Sequence, residues 1–171
     1  VGSAAKQNEK QIGGESMTSY HQITLKVNGE TEVVNVPANM TMLAMLREEL
    51  GLTGVKNGCA AGECGACTVL MNDEPVNSCM VLAAECDGVE VITIEGLSHN
   101  GQLIKLQEML IAKGGVQCGF CTPGMLISAF ALLKRNPDPS ENEIREALVG
   151  NLCRCTGYVR IIDAVKASVK E

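Results

Sequence analysis

The sequence predicts an α+β chain in two parts: a small mixed sheet crossed by one helix, then a domain of four helices. Three observations carry this. Ile23, Leu25 and Val27, and again Val34 and Val36, alternate with polar residues, which is the period of a half-buried strand. Leu103, Leu106 and Leu110 instead share one helical face, as do Ile161, Val165 and Val169, so the period changes to that of a helix. The join between the two patterns falls near Gly96 to Asn100.

Each element has a local reason. Residues 20–36 read as a β-hairpin, with Asn28-Gly29 supplying the positive φ angles of a type I′ turn. Pro37 breaks the return strand. Thr41 caps a helix from Met42 to about Leu50, and Gly51 is its C′ residue. A glycine-rich segment, Gly54 to Gly65, follows. Cys67 to Met71 reads as a strand with Asn72-Asp73 as its turn, and Val89 to Ile94 as another strand. In the second half, Gly114-Gly115 ends the first helix. Thr122-Pro123 reads as N-cap and N1 of an apolar helix to about Arg135. That helix is apolar nearly all round, as expected of a central, buried one. Ser140 and Glu143 form a capping box for a helix whose stripe is Ile144, Ala147 and Leu148. The domain boundaries expected are 17–96 and 97–171, with the small and polar residues 1–16 as a disordered tail or tag ahead of Met17. No internal repeat suggests a solenoid.

Composition narrows the function classes. The 171 residues carry a net charge of −6, which argues against a nucleic-acid partner, since phosphate binding needs a basic patch. The longest apolar run, Met125 to Leu133, is interrupted by Ser128 and is too short to span a bilayer. No basic stretch followed by an apolar run marks a secretory signal, so a cytoplasmic location is expected.

The nine cysteines are the unusual feature: Cys59, Cys64, Cys67, Cys79, Cys86, Cys118, Cys121, Cys153 and Cys155. A reducing cytosol keeps thiols free, so a disulfide framework is set aside in favour of metal binding. Cys59, Cys64 and Cys67 have the spacing C-x4-C-x2-C, the plant-type ferredoxin spacing for a [2Fe–2S] cluster, which takes four thiolates. Cys79, after eleven intervening residues, is the fourth candidate. Gly58, Gly62 and Gly65 let the chain wrap closely around such a group. Structural zinc prefers two separate C-x2-4-C knuckles, and here Cys59, Cys64 and Cys67 form one continuous run with Cys79 standing alone. Cys118 and Cys121 form a C-x2-C pair, and after 31 intervening residues Cys153 and Cys155 form a C-x-C pair. The intervening helical hairpin can return the second pair to the first. Helix N-termini just after both pairs favour an anionic thiolate–metal group. Taken alone, this quartet fits zinc as well. The C-x2-C pair also matches a thioredoxin-like redox motif, without the βαβ context that motif needs. A second iron–sulfur centre beside the first makes a conducting chain, and zinc would not.

Three stretches together carry a resemblance. They are Gly58-Cys59-Ala60-Ala61-Gly62-Glu63-Cys64-Gly65-Ala66-Cys67, Val116-Gln117-Cys118-Gly119-Phe120-Cys121-Thr122-Pro123-Gly124, and Gly150-Asn151-Leu152-Cys153-Arg154-Cys155-Thr156-Gly157-Tyr158. In this order they resemble the small iron–sulfur subunit of molybdenum hydroxylases, the xanthine dehydrogenase/aldehyde oxidase family. The resemblance implies an N-terminal β-grasp, plant ferredoxin-like domain and a C-terminal four-helix bundle. It implies two [2Fe–2S] clusters, a large partner subunit with molybdopterin, and an FAD subunit. Electrons would pass from the molybdopterin centre through the helical-domain cluster and the ferredoxin-like cluster to FAD and an acceptor. It also implies that Gln117 contacts the molybdopterin and that Cys155 lies closest to the pterin. The Gly-Glu-Cys-Gly-Ala-Cys wording resembles bacterial xanthine dehydrogenase small subunits. This gives a lean to xanthine over aldehydes, other N-heteroaromatics, carbon monoxide or aromatic acyl-CoA esters.

The remaining candidates read as structural. Cys86 lacks a partner motif and is expected as a small buried hydrophobe. His21 and His99 are expected in solvent, and the Glu48-Glu49 pair likewise. The eight methionines, Met17, Met40, Met42, Met45, Met71, Met80, Met109 and Met125, are expected to fill core or interface. Arg154 has two readings, as a countercharge to the metal group or as a partner of a surface carboxylate. No acid–base constellation is visible, so no catalytic residue is assigned. Two competing functions remain, a free-standing ferredoxin and a zinc-stabilised interaction module. Co-purifying chains test the first and colour the second.

Overall fold

The computed structural model describes residues 19–98 and 104–169. The readings that fall on residues 1–16, Met17, His99 and Leu103 lie outside that set. Strand β1 (Tyr20–Val27) pairs antiparallel with β2 (Glu30–Pro37), from Tyr20↔Pro37 to Val27↔Glu30. Asn28 at φ 53° and Gly29 at φ 89° make the expected two-residue turn. Thr41 caps the next helix, its Oγ1 accepting from the Ala44 N–H at 3.2 Å. That helix, α1 (Met42–Ala44), passes at once into a π-helical turn over Met45–Glu49. The wide turn closes with the Leu50 N–H on the Met45 carbonyl at 3.1 Å, and Gly51 follows at φ 69°.

Strands β3 (Thr68–Met71), β4 (Glu74–Asn77) and β5 (Glu90–Ile92) complete one five-stranded sheet in the order β2-β1-β5-β3-β4. Only the β1–β5 contact is parallel. β5 is shorter than the expected Val89–Ile94 because the chain turns at Thr93. The Thr93 N–H donates to the Asn28 side chain at 2.9 Å, and a short 3-10 turn, Ile94–Leu97, follows.

Four helices follow: α2 (Lys105–Ala112), α3 (Thr122–Arg135), α4 (Glu141–Leu148) and α5 (Val159–Val169). The capping box forms as read, with Ser140 Oγ accepting from the Glu143 N–H at 3.3 Å and Glu143 Oε2 accepting from the Ser140 N–H at 2.7 Å. The start of α3 is one residue earlier than expected. Cys121 is the N-cap and Pro123 lies at N2, because Cys121 itself ends a tight turn in which the Thr122 N–H bonds the Gly119 carbonyl at 3.2 Å.

The sheet has helical cover on both faces. Val69 of β3 joins Ile23, Leu25, Val36, Met42 and Leu46 in one core. Its neighbour Leu70 points the other way, into a core with Met125, Ile127, Leu110, Ile144 and Ile161. Helix α3 therefore packs on the sheet as well as on its sister helices. Two ion pairs, Lys134–Asp73 at 2.6 Å and Arg135–Glu74 at 3.3 Å, fasten its C-terminal end to the β3–β4 turn. Among the described residues no helix is long and apolar enough to cross a membrane.

Candidate metal centres

The loop between α1 and β3 curls around a sulfur. Ala60 at φ 52°, Gly62 at φ 76° and Gly65 at φ 67° turn the backbone inward. Cys59 Sγ then accepts from the N–H groups of Ala61, Glu63 and Cys64, each at 3.4 Å. Those donors, with the neighbouring Cys64 thiol, bring the exposed Cys59 thiol down to about 7. Gly58 is required for space, since a Cβ there would lie 2.7 Å from Cys64 Sγ.

The hairpin β3–β4 supplies the other half. Its Thr68↔Asn77 register brings Cys67, just before β3, alongside Cys79 in the short turn after β4. Ser78 locks them together, its hydroxyl donating to the Cys67 carbonyl at 2.8 Å. Burial, then the adjoining Cys67 thiol, push Cys79 up to about 11, and Cys59 is close enough to add to this. All four cysteines of the first motif meet, as a pair of exposed Cys59 with half-buried Cys64 and a buried Cys67/Cys79 pair.

The second quartet forms at the end of the helical hairpin. Cys118 and Cys121 lie at the mouth of α3, with Gly119 at φ 82° between them. Cys153 and Cys155 lie on the loop from α4 to α5, turned back by Gly157 at φ 64° and Tyr158 at φ 69°. Cys155 Sγ is 3.6 Å from Cys118 Sγ, and the Cys153 and Cys121 thiols interact as a second pair. Burial, then Cys153, push Cys121 up to about 12. Burial also raises Cys153, but the Thr156 hydroxyl and the N–H groups of Thr156 and Cys155 outweigh it, and the net shift is downward. The Phe120 N–H lowers Cys118, and Cys118 raises Cys155.

The thiols pair two by two at each site, Cys59 with Cys64 and Cys67 with Cys79, then Cys118 with Cys155 and Cys121 with Cys153. Such a set would supply two thiolates to each iron of a [2Fe–2S] group. The residues present fit a [2Fe–2S] group at each site.

The other readings resolve as follows. Gln117 is exposed beside Cys118. Cys86 is fully buried, donates weakly to the Leu82 carbonyl at 3.5 Å, and is pushed up to about 11 by burial. His21, Glu48 and Glu49 are exposed. Arg154 is exposed and makes no ion pair among the described residues. Met42, Met45 and Met125 are buried in the cores, whereas Met80 is exposed.

Sequence reasoning missed the residues that join the two sites. Asn151, 3% exposed, accepts from the Ser128 hydroxyl of α3 at 2.7 Å and donates to the Gly65 carbonyl at 2.9 Å and to Thr68 Oγ1 at 3.2 Å. The Leu152 N–H donates to the Cys64 carbonyl at 2.9 Å. Gly65 and Gly124 make this approach possible, since a Cβ on Gly65 would strike the Gly150 carbonyl and one on Gly124 the Gly65 carbonyl. The available signal was the Gly150-Asn151 pair one residue ahead of the C-x-C motif.

Comparison with known proteins agrees with this geometry. Residues 25–92 match the family described as "2Fe-2S iron-sulfur cluster binding domain", and residues 93–166 the "[2Fe-2S] binding domain" family. The chain is 49% identical to the nicotinate dehydrogenase small FeS subunit of Eubacterium barkeri, over 86% of this chain and 94% of that protein. It is 50% identical to the nicotine 6-hydroxylase small subunit of Paenarthrobacter nicotinovorans, over 84% and 87%. The solved structure of quinoline 2-oxidoreductase from Pseudomonas putida 86 superposes with a TM-score of 0.86 at 45% identity, covering 88% of this chain and 93% of that one. Two iron–sulfur domains in tandem, matched along nearly their whole length by subunits of this kind, identify the chain as a member of the small iron–sulfur subunits of the molybdenum hydroxylases.

Proposed function

We propose that Cys59, Cys64, Cys67 and Cys79 hold one [2Fe–2S] cluster and Cys118, Cys121, Cys153 and Cys155 the other, and that the chain relays electrons between partner subunits. Each such group accepts and gives up one electron at a time. The observation that carries the reading is the 2 + 2 pairing of sulfurs at both sites, together with the hydrogen bond that joins them. Cys64 and Cys153 belong to different quartets, yet the Leu152 N–H on the Cys64 carbonyl links their backbones. The exposed Cys118/Cys155 pair and the exposed Cys59 give each quartet a side open to a partner.

In this reading residues 17–96 are the ferredoxin-like, β-grasp unit and residues 97–171 the four-helix unit. Gln117 and Cys155 lie nearest a molybdopterin on a large subunit, electrons leave toward an FAD subunit, and the complex works in the cytoplasm. The lean to xanthine rests on the wording of the first motif. The three relatives above are named for nicotinate, nicotine and quinoline, so the wider class proposed for the complex is an N-heteroaromatic ring, to which purines also belong.

Iron, sulfide and EPR analysis of anaerobically prepared protein tests this. About four irons and four acid-labile sulfides per chain and two distinct reduced-state signals are expected. Cys118→Ser should remove one signal and keep the other. Colourless, iron-free protein from a cluster-competent preparation, or loss of both signals from folded Cys118→Ser protein, overturns it.

A further inference from the structure

We infer that Thr156 is a positioning residue that sets the reduction potential of the second site through its hydroxyl on Cys153. The inference rests on the proposed ligation and goes beyond it. Thr156 Oγ1 lies 3.1 Å from Cys153 Sγ, and the Thr156 N–H lies 3.5 Å from the same sulfur. Among the described residues it is the one side-chain hydroxyl within hydrogen-bonding distance of any of the eight proposed ligand sulfurs.

The direction of that hydrogen bond is fixed by its surroundings. The Tyr158 N–H, which can only donate, points at Thr156 Oγ1 at 3.3 Å and occupies an acceptor position of the hydroxyl. A ligating Cys153 is a thiolate, which can only accept. The hydroxyl proton is therefore directed from Thr156 to the sulfur. Tyr158 holds this chain in place from both ends: its backbone donates to Thr156, and its phenol oxygen accepts the Cys153 N–H at 2.8 Å. That second bond also diverts the Cys153 N–H from the sulfurs. The left-handed backbone of Tyr158, at φ 69°, is the strained turn that allows both contacts.

Reduction adds a negative charge to the group the thiolates hold. A hydroxyl dipole aimed at one of those sulfurs stabilises the more negative state and raises the potential. Among the described residues the first site has no side-chain hydroxyl on a sulfur. Its Cys59 is served by backbone N–H groups, which no side-chain substitution removes. Side-chain control of the potential difference between the sites thus falls to Thr156.

The test is an EPR-monitored dithionite titration of the isolated chain with both clusters loaded. Thr156→Val keeps the shape and deletes the hydroxyl, so one signal should move to a more negative midpoint while the other stays. Thr156→Ser, which keeps the hydroxyl, should restore the wild-type midpoint. Thr156→Ala provides a second hydroxyl-free variant if valine impairs cluster assembly. Unchanged midpoints in a loaded Val or Ala variant overturn the inference. So does loss of the cluster from both of them, which would make the hydroxyl purely structural. Failure of the proposed ligation would look different, since wild-type protein would then lack one of the two signals.

Discussion

Asn151 is worth more than its place in a loop suggests. Its amide oxygen faces a donor, Ser128 Oγ, and its amide nitrogen faces acceptors, the Gly65 carbonyl and Thr68 Oγ1. An amide fits that environment in one orientation only. Asn151→Ala removes all three contacts and strands the buried Ser128 hydroxyl, for an expected loss on the order of 2–3 kcal/mol. Asn151→Asp should destabilise more, although it is nearly isosteric, because it sets a carboxylate oxygen against the Gly65 carbonyl. Denaturant midpoints of the two variants check the order, and Ala falling below Asp would refute this account. The cysteine motifs themselves were legible because their spacings are local in the sequence. Asn151 was not, because an Asn after Gly is an ordinary turn pair, and its partners are 23, 83 and 86 positions away. Thr156 and Tyr158 escaped for a similar reason, their contacts depending on a left-handed residue that is not glycine.

At the level of elements, local chemistry was readable and packing was not. The hairpin turn, the Thr41 cap and the Ser140/Glu143 box are each written within four residues, and each appears in the structure. The π-helical turn after α1 and the seating of α3 on the sheet depend on contacts from afar. A signal for the latter existed in the unbroken run Val69-Leu70-Met71, which suits a strand covered on both faces. Ile127, fully buried in α3, should on this account cost ~2–5 kcal/mol when cut to Ala, with unfolding of sheet and helices still in one transition. A separate, earlier transition for the helical half would contradict it. Charge also ties elements together. Glu141 binds Arg145 at 2.7 Å within α4 and Lys166 of α5 at 2.9 Å, and Lys166 first, then Arg145, lower its carboxyl from 4.5 to about 2. A depressed carboxyl stabilises fully above its free value and loses that effect only as pH falls toward about 2. The thermal midpoint of Glu141→Gln should therefore lie slightly below wild type at low salt. The gap should stay constant from pH 7 down to about 5, and close in strong salt.

For the whole molecule, the question is where partners seat. Several of the apolar side chains that the fold leaves in solvent lie beside the second quartet. Val149 is 81% exposed, Leu152 59% and Val159 59%, and all three flank the loop that carries Cys153 and Cys155, with Phe120 between Cys118 and Cys121 at 47%. Four exposed apolar side chains close in sequence to these cysteines suit a partner surface, and a large subunit seated there would bring its own centre close to Cys155. Single charges at these positions should break docking without removing a ligand, because none of these residues is one of the eight cysteines. The double variant Val149→Lys, Leu152→Lys should keep its iron content and both EPR signals yet no longer co-purify with the large subunit. Exposed Val33 on the edge strand β2, 61% in solvent, is the control, since Val33→Lys alters a comparable apolar surface remote from both quartets. Retained co-purification of the double variant would move the docking face elsewhere. Loss in both variants would show a general effect of added charge. Loss in the double variant alone, with clusters intact, would mark the helical quartet as the end at which electrons enter.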